Sequence, residues 1–270
     1  MTTHAQTAIK SVSLSTGVTL PYVVQGDPNG VPVVLLHGMS DSLRSWEPVL
    51  PYLPPSIHAI APTLRGHGDA NHPATGDDFD HFAADVYSFL DALGLASAVI
   101  VGYSLGSDIA QRFAMDHPER TSGLVLVGTV TTWRGNAAVR ELWDIAIAKM
   151  TDPIDADFVR EFQATPGMSP AFHDIVVHES LKVPARVWQA GFQSVMTSDF
   201  SAELGKIQAP TLIVWGDADP ICPRREQEAL MTAITRARLV VYAGAEHNIQ
   251  WERTERLAAD VVEFTQSLAS

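Results

Sequence analysis

The sequence predicts an α/β fold in which a mostly parallel sheet of eight strands carries helices on both faces and an inserted helical cap. Two observations indicate this class. Short, almost continuous apolar runs recur along the chain, and amphipathic helical patterns separate them. A strand buried on both faces has no solvent side on which to alternate, so it reads as an unbroken apolar run. Alternation of such runs with helices favours parallel strands joined by helical crossovers.

The chain order of these elements follows from the apolar runs and the turn residues between them. The first two strands form a pair joined at Thr16-Gly17, and dense turn chemistry at residues 26–30 precedes the buried strands. The predicted strands are residues 11–15, 18–25, 31–36, 57–61, 98–101, 124–127, 211–215 and 239–242. The predicted helices of the core are residues 79–93, 105–117, 224–235 and 251–268.

One interval breaks the alternation, because no strand pattern occurs between residues 128 and 211. Helical patterns punctuated by prolines fill it, whereas an unstructured loop of that length is uncommon in a compact domain. The predicted helices of this interval are residues 137–150, 155–164, 170–181 and 184–197. We therefore expect a core of residues 1–129 and 206–270, with a helical cap, or lid, of residues 130–205.

The composition excludes several classes of protein. The chain has 270 residues, of which 46% are hydrophobic and 18% charged, which is typical of a soluble globular protein. Its formal net charge of -13 disfavours nucleic acid and anionic membranes as partners. The single cysteine, Cys222, fits a reducing cytosol. Without a signal-peptide pattern or a long apolar run, the expectation is a cytoplasmic protein with a small-molecule ligand and an oligomeric state that the pattern does not encode.

The strongest motif is Gly-Tyr-Ser-Leu-Gly at residues 102–106, which matches the G-x-S-x-G pattern of a nucleophile elbow. It follows a predicted strand and opens a predicted helix, the setting that the motif requires. Glycines two residues either side of the serine remove Cβ atoms that would collide with the neighbouring strand and helix. Ser104 is therefore the candidate nucleophile.

A serine hydroxyl needs a base, and the base needs an acid that orients it. In sheets with this elbow the chain order is serine, acid, histidine. His247 lies in the loop before the last helix and is the candidate base, whereas His173 and His178 lie in predicted cap helices. Two aspartates after the strand at 211–215 compete for the acid position. Asp219, which precedes Pro220, is favoured, and Asp217 is expected to bond the loop backbone instead.

The tetrahedral intermediate of acyl transfer needs two donors aimed at its oxygen. The backbone N–H of Leu105, directly after the nucleophile, is one candidate, and that of Met39, in the loop after the third strand, is the other. His37 is expected to hold loops beneath the site. Asp108, one turn after the serine, is expected to support the helix, although it could face the site.

The cap supplies large aromatic side chains that are candidates for the wall of a substrate pocket. These residues are Trp133, Trp143, Phe172, Trp188 and Phe192. Packing within the cap or against the core is the alternative role for most of them.

With these residues assembled, the chain resembles the α/β-hydrolase family over nearly its whole length. The matching stretches are residues 31–38, 64–68, 102–106, 117–120, 209–216, 219–220 and 244–247. It is most similar to the capped serine-nucleophile subgroup, which contains esterases, lactonases, carbon–carbon bond hydrolases and haloperoxidase-like enzymes. The resemblance implies a triad of Ser104, Asp219 and His247 under a lid. One departure is Ser107-Asp108, where a second glycine is frequent in the family.

The expected activity is acyl transfer to Ser104 from a small to medium apolar carboxylic ester or lactone. Two alternatives remain open. The first is hydrolysis of a carbon–carbon bond in a β-diketone or ring-fission product. The second is a ligand receptor that keeps the same three residues but turns its ligand over slowly. Relatives such as epoxide hydrolases use aspartate as the nucleophile, so Ser104 separates the chain from them. No metal-binding or dinucleotide motif occurs in the sequence, and no cofactor is expected.

Overall fold

A computed structural model describes residues 8–268, in which eight strands alternate with helices. The strands are β1 (Lys10–Ser13), β2 (Thr19–Gln25), β3 (Val31–Leu36), β4 (Ile57–Pro62), β5 (Ala98–Tyr103), β6 (Thr121–Val127), β7 (Thr211–Gly216) and β8 (Ala237–Tyr242). The α-helices of the described residues are α1 (Phe79–Ala92), α2 (Leu105–Asp116), α3 (Ala137–Ile145), α4 (Ala156–Phe162), α5 (Pro170–Ser180), α6 (Ala185–Thr197), α7 (Arg224–Ala233), α8 (Ile249–Glu252) and α9 (Thr254–Ser267).

All eight strands form one sheet in the order β1-β2-β4-β3-β5-β6-β7-β8. β2 pairs antiparallel with β1 and β4, and every other neighbouring pair is parallel. The predicted fold class is therefore confirmed. β3 and β5 lie at the centre, so the loops that follow them meet at the carboxyl edge of the sheet, where such folds place their ligands.

The hydrophobic core consists of two layers, one on each face of the sheet. Along β3, Val34 and Leu36 belong to the layer that contains α1, α2 and the inserted helices. Val33 and Leu35 belong to the opposite layer, which contains α9. Successive side chains of a strand point to opposite faces, so both faces of β3 are apolar and its sequence is an unbroken hydrophobic run.

The chain between β6 and β7 forms helices α3 to α6 and an isolated β-bridge between Thr132 and Asp199. Beside this bridge, the Phe200 N–H donates to the Thr131 carbonyl oxygen at 3.0 Å. The two ends of the insertion therefore lie side by side above the sheet. The domain boundaries at 130 and 205 stay a prediction.

Two helices that the sequence predicts as continuous are interrupted in the structure, so these two predictions are wrong. The helix predicted over 137–150 ends at Ile145, and a short 3₁₀ turn follows at Ile147–Lys149. Gln189 of α6 donates to the carbonyls of Ile147 and Met150 at 3.3 and 3.1 Å, so these carbonyls turn toward α6.

The helix predicted over 251–268 is also divided, because α8 ends at Glu252 and α9 begins at Thr254. The intervening Arg253 has φ of -135° and ψ of 42°, which is not helical. The Thr254 hydroxyl donates to the Gln250 carbonyl at 2.8 Å and so satisfies an acceptor at the end of α8. None of the described helices is long and apolar enough to cross a membrane.

A buried ion pair joins the loop after β4 to α1. The Arg65 guanidinium donates to both carboxylate oxygens of Asp85 at 2.6 Å, and both side chains are almost fully buried. Thr16, between β1 and β2, donates to the same carboxylate at 2.5 Å. One carboxylate therefore connects three separate segments of the core.

We expect Asp85→Asn to lower the free energy of unfolding by about 3 kcal/mol, because it leaves the Arg65 charge buried without a counter-ion. Urea denaturation followed by far-ultraviolet circular dichroism measures the change. The matched control is Asp144→Asn, which breaks an exposed pair with Arg140 and should cost about 1 kcal/mol or less. Equal losses in the two variants would contradict this prediction.

Candidate active site

Ser104 lies in a sharp turn between β5 and α2. Its backbone has φ of +50° and ψ of -120°, a combination that is strained for a residue with a side chain. A Cβ added at Gly102 would lie 2.2 Å from the Gly106 carbonyl oxygen, and one added at Gly106 would lie 2.3 Å from that of Leu36. The two glycines therefore let α2 approach β3 and β5 closely enough to form the turn.

Ser107, at the position where the resemblance leads one to expect a second glycine, fixes this turn from inside. Its hydroxyl lies 2.6 Å from the Gly102 carbonyl oxygen and accepts the Val127 N–H at 3.0 Å. The Ser104 N–H donates to the Val127 carbonyl oxygen at 2.9 Å. The departure from the family pattern thus links the elbow to β6 through buried hydrogen bonds.

Ser104, His247 and Asp219 form a continuous hydrogen-bonded chain. The Ser104 Oγ lies 3.1 Å from His247 Nε2, and His247 Nδ1 lies 2.8 Å from Asp219 Oδ2. In the tautomer that satisfies both contacts, Nδ1–H donates to the carboxylate and Nε2 accepts the serine hydroxyl. This arrangement leaves Nε2 free to remove the serine proton.

Asp219 is held as an ionised acceptor although its side chain has no solvent exposure. Burial would raise its pKa, but the neighbouring His247 and the N–H groups of Ile221 and Cys222 outweigh burial and hold the pKa below its usual value. The two N–H donors lie 2.8 and 3.0 Å from Oδ1. Oδ2 is therefore available to the imidazole alone.

The residues that compete in the sequence for the roles of acid and base have other partners in the structure. Asp217 accepts the Gly244 N–H at 2.7 Å and so ties the loop after β7 to the loop after β8. His173 contacts the Arg160 carbonyl oxygen at 2.9 Å, and His178 is exposed on α5. Neither histidine borders the cavity above Ser104.

Glycines also make room for the base. Gly128, directly after β6, has φ of +61°, and a Cβ there would lie 3.0 Å from Cε1 of the His247 imidazole. A Cβ on Gly216 would lie 2.2 Å from the Ala245 carbonyl oxygen in the loop that carries His247. Sequence reasoning missed both glycines, although each directly follows or ends a buried strand beside the elbow.

The residues of the two candidate oxyanion donors, Met39 and Leu105, border the same cavity as Ser104. Within residues 8–268, neither backbone N–H donates to another protein group. Below this loop, Nδ1 of the buried His37 contacts the Gly38 carbonyl oxygen at 2.8 Å, and Nε2 accepts the Leu64 N–H at 3.0 Å. Burial lowers the pKa of His37 well below its usual value, so the imidazole remains neutral and supports the loop.

A cavity of about 300 Å³ opens above the triad, which is at the small end of ligand pockets. Its walls are mainly apolar and come from both the core and the inserted helices. The apolar residues that line it include Trp133, Val139, Leu142, Phe162, Phe192, Val195 and Ile221.

The aromatic residues predicted for the pocket divide into two groups. Trp133 and Phe192 border the cavity, whereas Trp143, Phe172 and Trp188 do not. Trp188 is fully buried behind the wall, with its ring centroid 5.0 Å from that of Phe162. Phe172 packs against Trp251 at 5.9 Å, and Trp143 packs against the core. Trp188 therefore supports the wall without forming it, and the other two aromatic residues have packing roles elsewhere.

Two buried carboxyl groups border the same cavity. Asp108 accepts the Thr129 hydroxyl at 2.8 Å and the Trp133 indole N–H at 2.7 Å, so it both supports α2 and faces the site. Asp41, which sequence reasoning missed, accepts Gln163 at 3.0 Å. Burial raises the pKa of each carboxyl to about 7. The polar run directly after the loop of Met39 was the sequence signal for Asp41.

Among the described residues, one group of three side chains could offer ligand atoms to a metal: Asp219, Cys222 and His247, whose atoms lie within 4.8 Å of one another. Burial raises the pKa of the Cys222 thiol well above its usual value, which disfavours the thiolate that a metal would require. The other two groups already bond each other as acid and base.

The chain belongs to the family described as alpha/beta hydrolase fold, which matches residues 31–179 and 184–254. A putative non-heme chloroperoxidase from Synechocystis sp. is 28% identical over 277 residues, covering 92% of this chain and all of the relative. A 2-hydroxymuconate semialdehyde hydrolase from Pseudomonas sp. is 29% identical over 253 residues, covering 87% of each protein.

A solved structure also shares this fold. The esterase RhEst1 from Rhodococcus sp. superposes with a TM-score of 0.84 at 27% sequence identity, over 96% of this chain and 99% of the esterase. Relatives with this one fold are thus named as esterases, haloperoxidases and carbon–carbon bond hydrolases. This chain therefore shares its fold and family with proteins of several named activities.

We expect Gly128→Ala to lower kcat by roughly 10²-fold, because the added Cβ displaces the His247 imidazole from the serine. The rate of labelling by a fluorophosphonate reports the same loss without a chosen substrate. Gly135→Ala is the matched control, since Gly135 also has a positive φ of 75° but nothing lies within 4 Å of its added Cβ. Similar losses in both variants would show that backbone strain alone, and not the imidazole, explains the effect.

The raised pKa of the buried Asp108 makes the free energy of unfolding depend on pH. Asp108 has a pKa of about 7 in the folded protein, above its unfolded value, so the folded state binds the extra proton between these values. The stabilisation is complete below the unfolded pKa and is lost as the pH rises through about 7. Relative to the wild type, Asp108→Asn should therefore gain about 2 kcal/mol in free energy of unfolding between pH 5.5 and 8.5. Urea denaturation at the two pH values measures this difference, and a pH-independent offset would contradict it.

Proposed function

We propose that the protein is a serine hydrolase that acts by acyl transfer on small to medium apolar carboxylic esters or lactones. The observation that carries the proposal is the hydrogen-bonded chain from Ser104 through His247 to Asp219, which opens into an apolar cavity. A nucleophile, a base and a buried acid in this geometry are the groups that acyl transfer requires.

The reaction proceeds in two steps. Ser104 Oγ attacks the substrate carbonyl while His247 Nε2 takes its proton, and Asp219 stabilises the imidazolium that forms. The N–H groups of Met39 and Leu105 bind the developing oxyanion. His247 then protonates the leaving group, and in the second step it activates a water molecule that releases the acyl group from Ser104.

The size and lining of the cavity support an apolar substrate of limited length. Its volume of about 300 Å³ accommodates a short acyl or alkoxy group against Trp133, Phe162 and Phe192. The amino terminus of α2 directly follows Ser104, so its helix dipole favours the negative charge of the intermediate. Both features fit the ester chemistry named for relatives such as RhEst1.

Carbon–carbon bond hydrolysis is the second candidate function. The same triad can perform it, and the relative from Pseudomonas sp. is named as a 2-hydroxymuconate semialdehyde hydrolase. A ligand receptor that turns its ligand over slowly is the third candidate function. A panel of esters, lactones and β-diketones separates the first two, and turnover below about one per minute on every compound would favour the third, since typical enzymes turn over far faster.

We expect Ser104→Ala to lower kcat for p-nitrophenyl acetate and butyrate by roughly 10⁴-fold or more, because no other group replaces the nucleophile. The variant should also lose labelling by a fluorophosphonate. Ser201→Ala, at an exposed position outside the cavity, is the control and should retain both properties. Equal rates for wild type and Ser104→Ala would refute the mechanism.

A further inference from the structure

Two buried carboxyl groups in the wall of the active-site cavity have no cationic partner, and the exposed Glu246 borders the same cavity. Asp41 and Asp108 are 2% and 1% exposed, and within residues 8–268 neither forms an ion pair with a lysine or arginine. Asp219, in contrast, faces His247 at 2.8 Å. The described residues that line the cavity include no lysine or arginine.

The hydrogen-bond donors to these two carboxyls are almost all uncharged. Asp41 accepts the Gln163 amide at 3.0 Å and the Ser45 hydroxyl at 3.1 Å. Asp108 accepts the Thr129 hydroxyl and the Trp133 indole N–H. Neutral donors fix the positions of the carboxylates, but they do not cancel the negative charge, whose field extends into the cavity because its walls are apolar.

The two acids occupy different parts of the wall. Asp41 follows the loop of Met39, and Asp108 lies in the first turn of α2 after Ser104, in contact with Trp133 at the start of the insertion. Both carboxyls border the cavity that Ser104 also borders, so a ligand that fills this cavity lies near both of them.

We propose that Asp41 and Asp108 determine substrate specificity by excluding esters that carry a carboxylate and admitting uncharged or cationic ones. This inference rests on the proposed serine hydrolase function. A substrate carboxylate would enter a mainly apolar cavity beside two buried negative charges with no lysine or arginine counter-ion, which is unfavourable. An uncharged ester meets no such barrier, and a quaternary ammonium ester gains attraction from the same field.

The protonation states at pH 8 follow from the surroundings of the two carboxyls. Burial raises each pKa to about 7, so both carry a negative charge at pH 8. The titratable groups that influence them are His247, Tyr103 and Cys222. Tyr103 and Cys222 have pKa values raised by burial and stay neutral, so neither adds a further negative charge.

Three p-nitrophenyl esters of matched shape test the proposal. They are the hemiglutarate, an analogue with an isopropyl group in place of the carboxylate, and an analogue that ends in trimethylammonium. At pH 8 and physiological ionic strength, where surface charges are screened beyond about 8 Å, we expect kcat/KM for the hemiglutarate to be roughly 100-fold below that of its uncharged analogue. The ammonium ester should be hydrolysed at least as well as the uncharged one.

The double variant Asp41→Asn/Asp108→Asn should reduce this discrimination to about tenfold or less and weaken the preference for the ammonium ester. The ratio of two substrates is internal to each preparation, so partial misfolding cancels, and the two single variants are measured in the same way. Asp157→Asn, an exposed change of equal charge on α4, should keep the wild-type ratio.

Two outcomes overturn the proposal and are distinct from each other. If the double variant keeps the wild-type ratio, or if the wild type hydrolyses the hemiglutarate as fast as its uncharged analogue, charge selection by these residues is wrong while the serine mechanism stands. If the uncharged ester is not hydrolysed and Ser104 is not labelled by a fluorophosphonate, the proposed function fails and the charge selection that rests on it fails as well.

Discussion

The close approach of α2 to the ends of β3 and β5 is the constraint on which the site depends. It forces Ser104 into a backbone conformation with a positive φ, at a cost of about 1–3 kcal/mol. That cost is offset by the packing that Gly102 and Gly106 permit and by the buried hydroxyl of Ser107. Without this approach, Ser104 would not project above the sheet toward His247, and Leu105 could not present its N–H to the same point.

The core and the insertion meet through a polar cluster, although the cavity between them is mainly apolar. Gln163 at the end of α4 donates to Ser180 of α5 at 2.7 Å and to Asp41 at 3.0 Å, and it lies 3.2 Å from Ser40. Ser40 is the other described non-glycine residue with a positive φ. The loop that carries Met39 is therefore positioned partly by residues of the inserted helices, so the geometry of the candidate oxyanion hole depends on how those helices dock.

The fold could be predicted, and so could the three residues that bond one another, Ser104, Asp219 and His247, because their signals are local. An unbroken apolar run indicates a doubly buried strand, and the elbow motif sits between such a run and a helix. The wall of the cavity could not be predicted, because whether Trp188 or Phe192 faces the ligand depends on how α6 packs against α4. The role of Asp41 was also hidden, since its partner Gln163 is more than a hundred residues away in the chain.

The two helix breaks differ in their partners. At Ala146 tertiary hydrogen bonds from Gln189 compete with the local helical pattern, whereas at Arg253 the Thr254 hydroxyl satisfies a carbonyl only four residues earlier. The adjacent ends of the insertion affect which segments the core can accept between β6 and β7. Thr131, shortly after β6, and Phe200, before β7, lie side by side, so a helical segment of another length or sequence can join these two points without altering any strand. Recombination at this single junction would therefore exchange the part of the cavity wall that the insertion supplies, while Ser104, His247, Asp219 and the two buried acids remain on the unchanged core.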